Sequence, residues 1–305
     1  MASKSVFVCG ATGTQGGALA NQLLSKDIGV SAITRNISST EAQRLISLGV
    51  SLTEGNFNDE ECLKKAMVNC TSLFLNLLPD FTKPTGELDQ ARKILSVAKQ
   101  TGIKHVIYTS ALATNNPERL PHWTPTGIIG MLLLGKQAIE KEVKSAGFET
   151  WTILRPGNFM SNFLNPLVRM YQGLVETGKF TTAFLPETIV PMIDPNDIGK
   201  FAAAAILEPA MFNHQEIATV SQMMTVEDIV KDLSTATRKD IQAVFLSEEQ
   251  ITDQLLKNPT LGPQKVMRDM SLFVDMENVQ KWGIELGTFA GFLEREKERV
   301  DVTYM

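Results

Sequence analysis

The chain is expected to fold as an α/β protein built on a doubly wound parallel sheet, and three observations lead there. An apolar run, Ser5-Val6-Phe7-Val8-Cys9, passes directly into a glycine-rich turn and then an amphipathic stretch, Ala18–Leu24. Short apolar runs then alternate with longer amphipathic segments as far as Arg155, the order that sets strands side by side with helices over both faces. Finally, 305 residues with 43% hydrophobic and 21% charged content suffice for a sizeable core and about two domains.

The turn carries Gly10, Gly13 and Gly16, a G-x-x-G-x-x-G. Gly10 permits the tight exit from the strand. Gly13 lets backbone approach a diphosphate, and Gly16 lets helix and strand pack closely. Free N–H groups and the positive end of the helix dipole favour an anion there. Gly10, Thr12, Gly13, Thr14, Gln15 and Gly16 are therefore the expected diphosphate contacts. Because strand and helix flank the turn, nucleotide binding is preferred over a merely structural glycine turn.

Strand two, Gly29–Thr34, ends at Arg35 with Ser38 and Ser39 close behind. In dinucleotide-binding folds a carboxylate at this tip accepts from a ribose 2′-OH, whereas an arginine pairs with a 2′-phosphate. Arg35 lies about 20 residues beyond Gly16, and no Asp or Glu competes with it before Glu41. NADP(H) is the expected cofactor; a solvated loop arginine is the plainer alternative. Helix 40–48 and strand Val50–Thr53 follow, then Gly55-Asn56-Phe57, with Asn56 and Phe57 as contacts near an adenine and Asn58 or Asp59 as a helix cap. Strand four, Ser72–Asn76, leaves through Leu77, putting Asn76 and Leu77 near the cofactor. Helix 85–101 and strand five, His105–Ser110, continue the alternation, and residues 111–127 read as a loop. A helix over 128–146 leads to strand six, Thr150–Arg155, whose exit supplies Pro156, Asn158 and Phe159 as further cofactor contacts. Ligands bind outside the carboxyl ends of such strands, so these tips should line one crevice.

Beyond 157 the pattern loosens, which predicts a cofactor-binding domain over 1–156 and a smaller substrate or partner lobe over 157–305. Gln215–Val220 reads as a strand returning to the main sheet. Asp194 and Asp197 frame a helix start, Thr225–Asp228 has capping-box spacing, and Ile241–Leu246 is a further strand. Two helical stretches end the chain, with the charges of Glu294–Arg299 on a solvated face.

On the helix over 128–146, Ile128, Leu132, Lys136, Ile139 and Val143 fall within an arc of about 80°. Lys136 is the one charge on that stripe, with Glu140, Lys141, Glu142 and Lys144 off it. A lysine turned towards a sheet needs a partner, and a phosphate, ribose hydroxyl or substrate oxygen would serve; snorkelling to solvent is the alternative. A buried amine can also move a proton. Reductases on this fold commonly use a tyrosine four residues earlier, where this chain has Leu132. The proton must then come from Lys136, from Ser110 or His122, or from water. His105, His122 and His214 have no metal-ligand spacing, and no hydrolase elbow is present.

A net charge of −5 provides no basic field, so nucleic acid is not an expected direct partner. No apolar run approaches the length of about 20 residues that a membrane span needs. The first strand starts too near Met1 for a leader peptide. Three unpatterned cysteines, Cys9, Cys62 and Cys70, point to reduced thiols in the cytoplasm, or also the nucleus, with Cys9 a small core residue rather than a nucleophile.

Taken together, VFVCGATGTQGG at 6–17, TRN at 34–36, Lys136–Glu140, TILRPGNFMSN at 152–162 and PMIDPNDIGKFAAAAI at 191–206 resemble the NmrA-like group of atypical short-chain dehydrogenases, most strongly over residues 5–207. That resemblance implies a Rossmann-type sheet with a small C-terminal α/β lobe. It also implies one of two roles. Some members look like NADP(H)-sensing regulators that lack the reductase tyrosine and contact transcription factors. Others, such as isoflavone and pinoresinol–lariciresinol reductases, are NADPH reductases whose helix lysine matches Lys136. The leading expectation is an NADPH-dependent reductase of a small apolar carbonyl, enone or imine, with the apolar run Gly130–Leu134 lining its pocket or merely packing in the fold. The rival is a regulator acting through a protein partner. An isomerase has no specific support.

Overall fold

A computed structural model describes residues 5–83 and 85–305. In chain order its elements begin β1 (Ser5–Val8), α1 (Thr14–Leu24), β2 (Gly29–Thr34), α2 (Thr40–Ser47), β3 (Ser51–Glu54), α3 (Glu60–Met67) and β4 (Ser72–Leu75). Then come α4 (Gly86–Gln100), β5 (His105–Thr109), α5 (Ile128–Ser145), β6 (Thr150–Pro156), β7 (Asn158–Phe159), α6 (Leu174–Thr177), β8 (Lys179–Thr182) and β9 (Ile189–Ile193). The remainder is α7 (Pro195–Leu207), α8 (Pro209–Phe212), β10 (Gln215–Thr219), β11 (Gln222–Thr225), α9 (Val226–Thr237), β12 (Gln242–Phe245) and five short helices, α10 (Glu248–Gln254), α11 (Leu261–Val266), α12 (Met276–Gln280), α13 (Phe289–Arg295) and α14 (Lys297–Tyr304).

The main sheet has seven strands in the order β10-β6-β5-β4-β1-β2-β3, and every pair in it is parallel. It is the Rossmann-type sheet that the strand–helix alternation predicts. Strands covered on both faces must be apolar throughout, and Val6, Phe7, Val8, Leu73, Phe74 and Leu75 are fully buried. On one face Leu63 and Met67 of α3, Ile94 of α4, and Ile139 and Val143 of α5 join Phe7, Leu73 and Tyr108 in one core. Elsewhere α7 packs against α1, closely enough that a Cβ on Gly199 would stand 2.8 Å from the Ala18 carbonyl. Local chemistry sets the helix starts. Ser39 accepts from Ala42 N, Asp59 accepts from Cys62 N at 3.0 Å, and Thr225 and Asp228 form the expected capping box.

The chain divides into two compact units whose segments interleave. The first takes the described residues to Thr114, Met131–Pro156 and Pro195–Thr219, so α7, α8 and β10 belong with the main sheet; the second takes Asn115–Gly130, Gly157–Asp194 and Val220–Met305. In the second unit, β9 pairs antiparallel with β11 and parallel with β7, and β12 pairs parallel with β8. An aromatic cluster fills this unit, with Phe163 stacked on Tyr171 at 4.9 Å and near Phe180 and Phe289.

Three local expectations are corrected. The loop over 111–127 contains a 3-10 turn at Pro117–Arg119. Lys136 is not the sole charge on the inner stripe of α5: Glu140 is 3% exposed, because Arg155 on β6 donates to both its oxygens at 2.9 and 2.6 Å. That arginine also bonds Glu216 on β10, which Lys144 meets at 2.6 Å. Ile128, by contrast, is half-exposed. Nor do the charges of Glu294–Arg299 form a purely solvated face. Helices α13 and α14 break at Glu296, and Arg295 pairs with buried Asp194 through two bonds of 2.8 Å.

Gly199→Val places a branched side chain against the α1 backbone. It is expected to destabilise the fold by about 1–3 kcal/mol, the usual penalty of overpacking, read as a lower midpoint of urea unfolding at unchanged slope.

Candidate functional site

Parallel strands end on one edge, so the tips of β1, β2, β3, β4 and β5 share the carboxyl edge of the sheet. The strand order reverses between β1 and β4, and such switch points are where open α/β sheets take ligands. Gly10 has φ +67, in the left-handed region that favours glycine. Gly13 N donates to the Gly10 carbonyl at 2.8 Å, tightening the turn. A Cβ at Gly16 would collide with the Gly10 carbonyl, so the close approach of α1 to β1 requires glycine. Gly13 is the N-cap of α1 and no side chain caps it, which leaves the N–H groups of the first turn with the helix dipole behind them. Thr12, Gly13 and Thr14 are exposed.

Asn76 joins this turn to the neighbouring strands. Its Oδ1 accepts from Gln15 Nε2 at 3.1 Å and from Thr109 Oγ1 at 3.2 Å, and its Nδ2 stands 3.3 Å from where a Cβ on Gly10 would lie. Gln15 Oε1 is buried with no hydrogen-bond partner among the described residues, an acceptor that a ligand donor at the turn would satisfy. The glycine cradle and this orphan acceptor together fit a diphosphate-bridged nucleotide carrying hydroxyl or amide donors.

Arg35 is exposed at the tip of β2 and makes no hydrogen bond or ion pair among the described residues. Asn56 spends its side-chain carbonyl on Asn58 N at 2.9 Å, and Phe57 packs half-buried against the core. Leu77 is buried.

Lys136 is 6% exposed and its partner is one that sequence reading missed. Its amine donates to Glu87 Oε1 at 2.6 Å and to the Leu77 carbonyl at 3.0 Å. Glu87, itself buried, lies in the first turn of α4. An acidic residue in the first turn of a helix reads from sequence as a dipole complement, and only the meeting of α4 with α5 reveals the pair. Below it lies Tyr108, with the Lys136 amine 5.8 Å from the ring centroid. The Tyr108 hydroxyl is buried and has no hydrogen-bond partner among the described residues, and burial, then the charges of Glu87 and Glu140, push its pKa well above the usual phenol value. A phenol held neutral in mid-strand does not take the place of a tyrosine at 132.

Ser110 is buried and donates to Thr114 Oγ1 at 3.3 Å. Pro156 ends β6, its carbonyl accepting from Leu112 N at 3.2 Å. His122, Asn158 and Phe159 belong to the second unit. There His122 is exposed, Asn158 accepts from Asn162 Nδ2 at 3.3 Å, and Phe159 pairs with Ile193. Among the described residues no cluster of His, Cys, Asp or Glu could hold a metal, and no helix is long and apolar enough to cross a membrane.

A model of the NmrA-like family matches residues 2–294. An NmrA-like family domain-containing oxidoreductase of Aspergillus flavus is 29% identical over 252 residues, covering 77% of this chain and 73% of the relative. Among solved structures, the triphenylmethane reductase of Citrobacter sp. complexed with NADP(H) is similar at TM-score 0.73 and 21% identity, over 95% of this chain and 99% of the other. NmrA, a negative transcriptional regulator solved in complex with NADP, is similar at TM-score 0.75 and 19% identity, over 98% of both chains. At these identities the two structures share the fold with this chain.

Two outcomes test the edge. Gly16→Ala must move the turn backbone, and nucleotide affinity measured by calorimetry should fall by at least about tenfold, or 1.4 kcal/mol, with the circular dichroism spectrum retained. Burial pushes the Cys9 thiol up to about 12, so at pH 8 about one part in ten thousand is thiolate. Mass spectrometry should find Cys9 unalkylated by iodoacetamide in the native protein and alkylated after denaturation.

Proposed function

The chain belongs to the NmrA-like family, and from that premise we propose that it is an NADPH-dependent reductase of a small, largely apolar organic substrate bearing a carbonyl, enone or imine. The observation that carries the proposal is the buried Lys136 ammonium, tied to the Leu77 carbonyl one residue beyond Asn76 and so to the glycine turn. A cation kept out of water at the carboxyl edge of a switch-point sheet is suited to orient a nicotinamide nucleotide or to give a proton to a substrate.

Bound NADPH would supply a hydride. The chain's own residues do the rest. The turn Gly10–Gly16 and the start of α1 receive the diphosphate, Arg35 receives the 2′-phosphate, and Asn76 holds the turn in place. Asn56, Phe57, Leu77 and Pro156 are the remaining contacts of the first unit in this reading. Lys136 orients the nucleotide or provides the proton that completes reduction, with Ser110 as the other donor within the first unit. Support comes from the curated oxidoreductase relative and from the reductase whose structure was solved with NADP(H).

A second reading has its own observation. Lys136 already holds two protein acceptors, and Leu132 stands where a proton-donating tyrosine would be. A regulator that senses NADP(H) and answers to a protein partner needs no proton donor, and NmrA itself is a negative transcriptional regulator.

Screening quinones, enones, imines and carbonyls for NADPH oxidation separates the two readings. Turnover with one class supports the reductase. Tight NADP(H) binding with unequal affinities for the two redox forms and no turnover supports the regulator. In either case Arg35→Asp is expected to erase the preference for NADPH over NADH, a change of about 1–3 kcal/mol for one charge-assisted contact. An unchanged ratio of dissociation constants would remove Arg35 from the site.

A further inference from the structure

The Glu87–Lys136 pair joins α4 to α5. Both groups are almost fully removed from water, Glu87 being 7% exposed and Lys136 6%. Replacing a buried ion pair by well-packed apolar residues is often neutral or stabilising, so stability alone does not account for it.

Geometry does. An ammonium has three N–H donors and no acceptor. Glu87 Oε1 takes one at 2.6 Å and the Leu77 carbonyl takes a second at 3.0 Å. With two directions occupied, the third is fixed by tetrahedral nitrogen. The contacts run onward to the turn, since Leu77 follows Asn76, and Asn76 accepts from Gln15. The second Glu87 oxygen lies beside Gly135 of α5, 3.9 Å from where a Cβ there would stand, an ordinary contact distance.

We propose that Glu87 is a positioning residue that aims the remaining donor of Lys136 at the reacting end of a bound nicotinamide nucleotide; the inference rests on the NADPH reading above. Glu87 does not itself touch the nucleotide. Glu87→Gln keeps the shape and removes the charge, whereas Glu87→Asp keeps the charge and withdraws it by one methylene.

The primary readout is the side-chain 1H–15N signal of Lys136, assigned by its loss in Lys136→Met and observed with and without NADP⁺. It needs no turnover. The wild-type signal is expected to shift on adding NADP⁺. Glu87→Gln should abolish that response while NADP⁺ affinity, set by the turn and Arg35, stays within about threefold; Glu87→Asp should restore part of it. Where a substrate is turned over, Glu87→Gln should lower kcat by about tenfold or more with KM for NADPH little changed, since misplacement by about 1 Å can cost on the order of 100-fold. Should Glu87→Gln not fold, Glu87→Asp carries the same readout, a displaced or weakened response being expected. An unaltered NADP⁺ response in the folded variant overturns the proposal. So does a wild-type protein that binds NADP⁺ with no change at Lys136, an outcome that leaves the nucleotide reading standing. A wild-type protein that binds no NADP(H) overturns the nucleotide reading and the proposal together.

Discussion

Backbone-to-backbone approach at two glycines governs where α1 can sit. Gly16 brings the start of the helix against the β1 exit, and Gly199 brings α7 against the middle of the same helix. A single methyl at either point would meet a carbonyl rather than the yielding end of a side chain. With α1 held on both sides, its uncapped first turn is fixed relative to the tips of β1 and β4. A site for an extended anionic ligand needs that kind of placement more than it needs any particular side chain, because the donors come from the backbone itself.

Charge does the comparable work on the other face of the sheet. The helix α5 carries two buried charges one turn apart, Lys136 and Glu140, and each is met by an opposite charge from another element, Glu87 on α4 and Arg155 on β6. Buried pairs of this kind contribute little net stability but are strongly destabilising when one partner is left alone. They therefore admit few alternative registers of α5 against its neighbours. The Arg155 side reaches further, through Glu216 to β10 and through Lys144 to the same strand. One helix is thus pinned near the strand tips by a cation and along the sheet by an anion.

Much of the first unit is legible in the sequence because its signals are local. Apolar runs bounded by turns give the strands to within a residue, and Gly10 and Gly16 reveal a tight backbone approach without any knowledge of what they approach. Even the return of 215–220 to the main sheet can be read from its composition. What escapes is the set of contacts made across long stretches of chain. Lys136 can be singled out as a misplaced charge, but nothing near position 87 marks its partner, which is 49 residues away. Glu140 reads as a solvated charge until Arg155 is seen opposite it. In the second unit the short 3-10 turns and the two-residue strand β7 have too little periodicity to be read, and of the five brief C-terminal helices the sequence shows only two helical stretches at the end. The last two helices pack around Phe163, Phe180 and Phe289, and α10 and α11 around Ala183 and Leu246.

The late arrival of β10 has a consequence for synthesis. The six strands up to β6 can pair as soon as they leave the ribosome, yet β6 then presents an open ladder along five residues, Thr152–Pro156, until Gln215–Thr219 has emerged to cover it. A bare edge of that length is a template for association with another nascent chain. Glu216 is built into the covering strand itself, so the Arg155–Glu140 pair gains its second carboxylate only when that strand arrives.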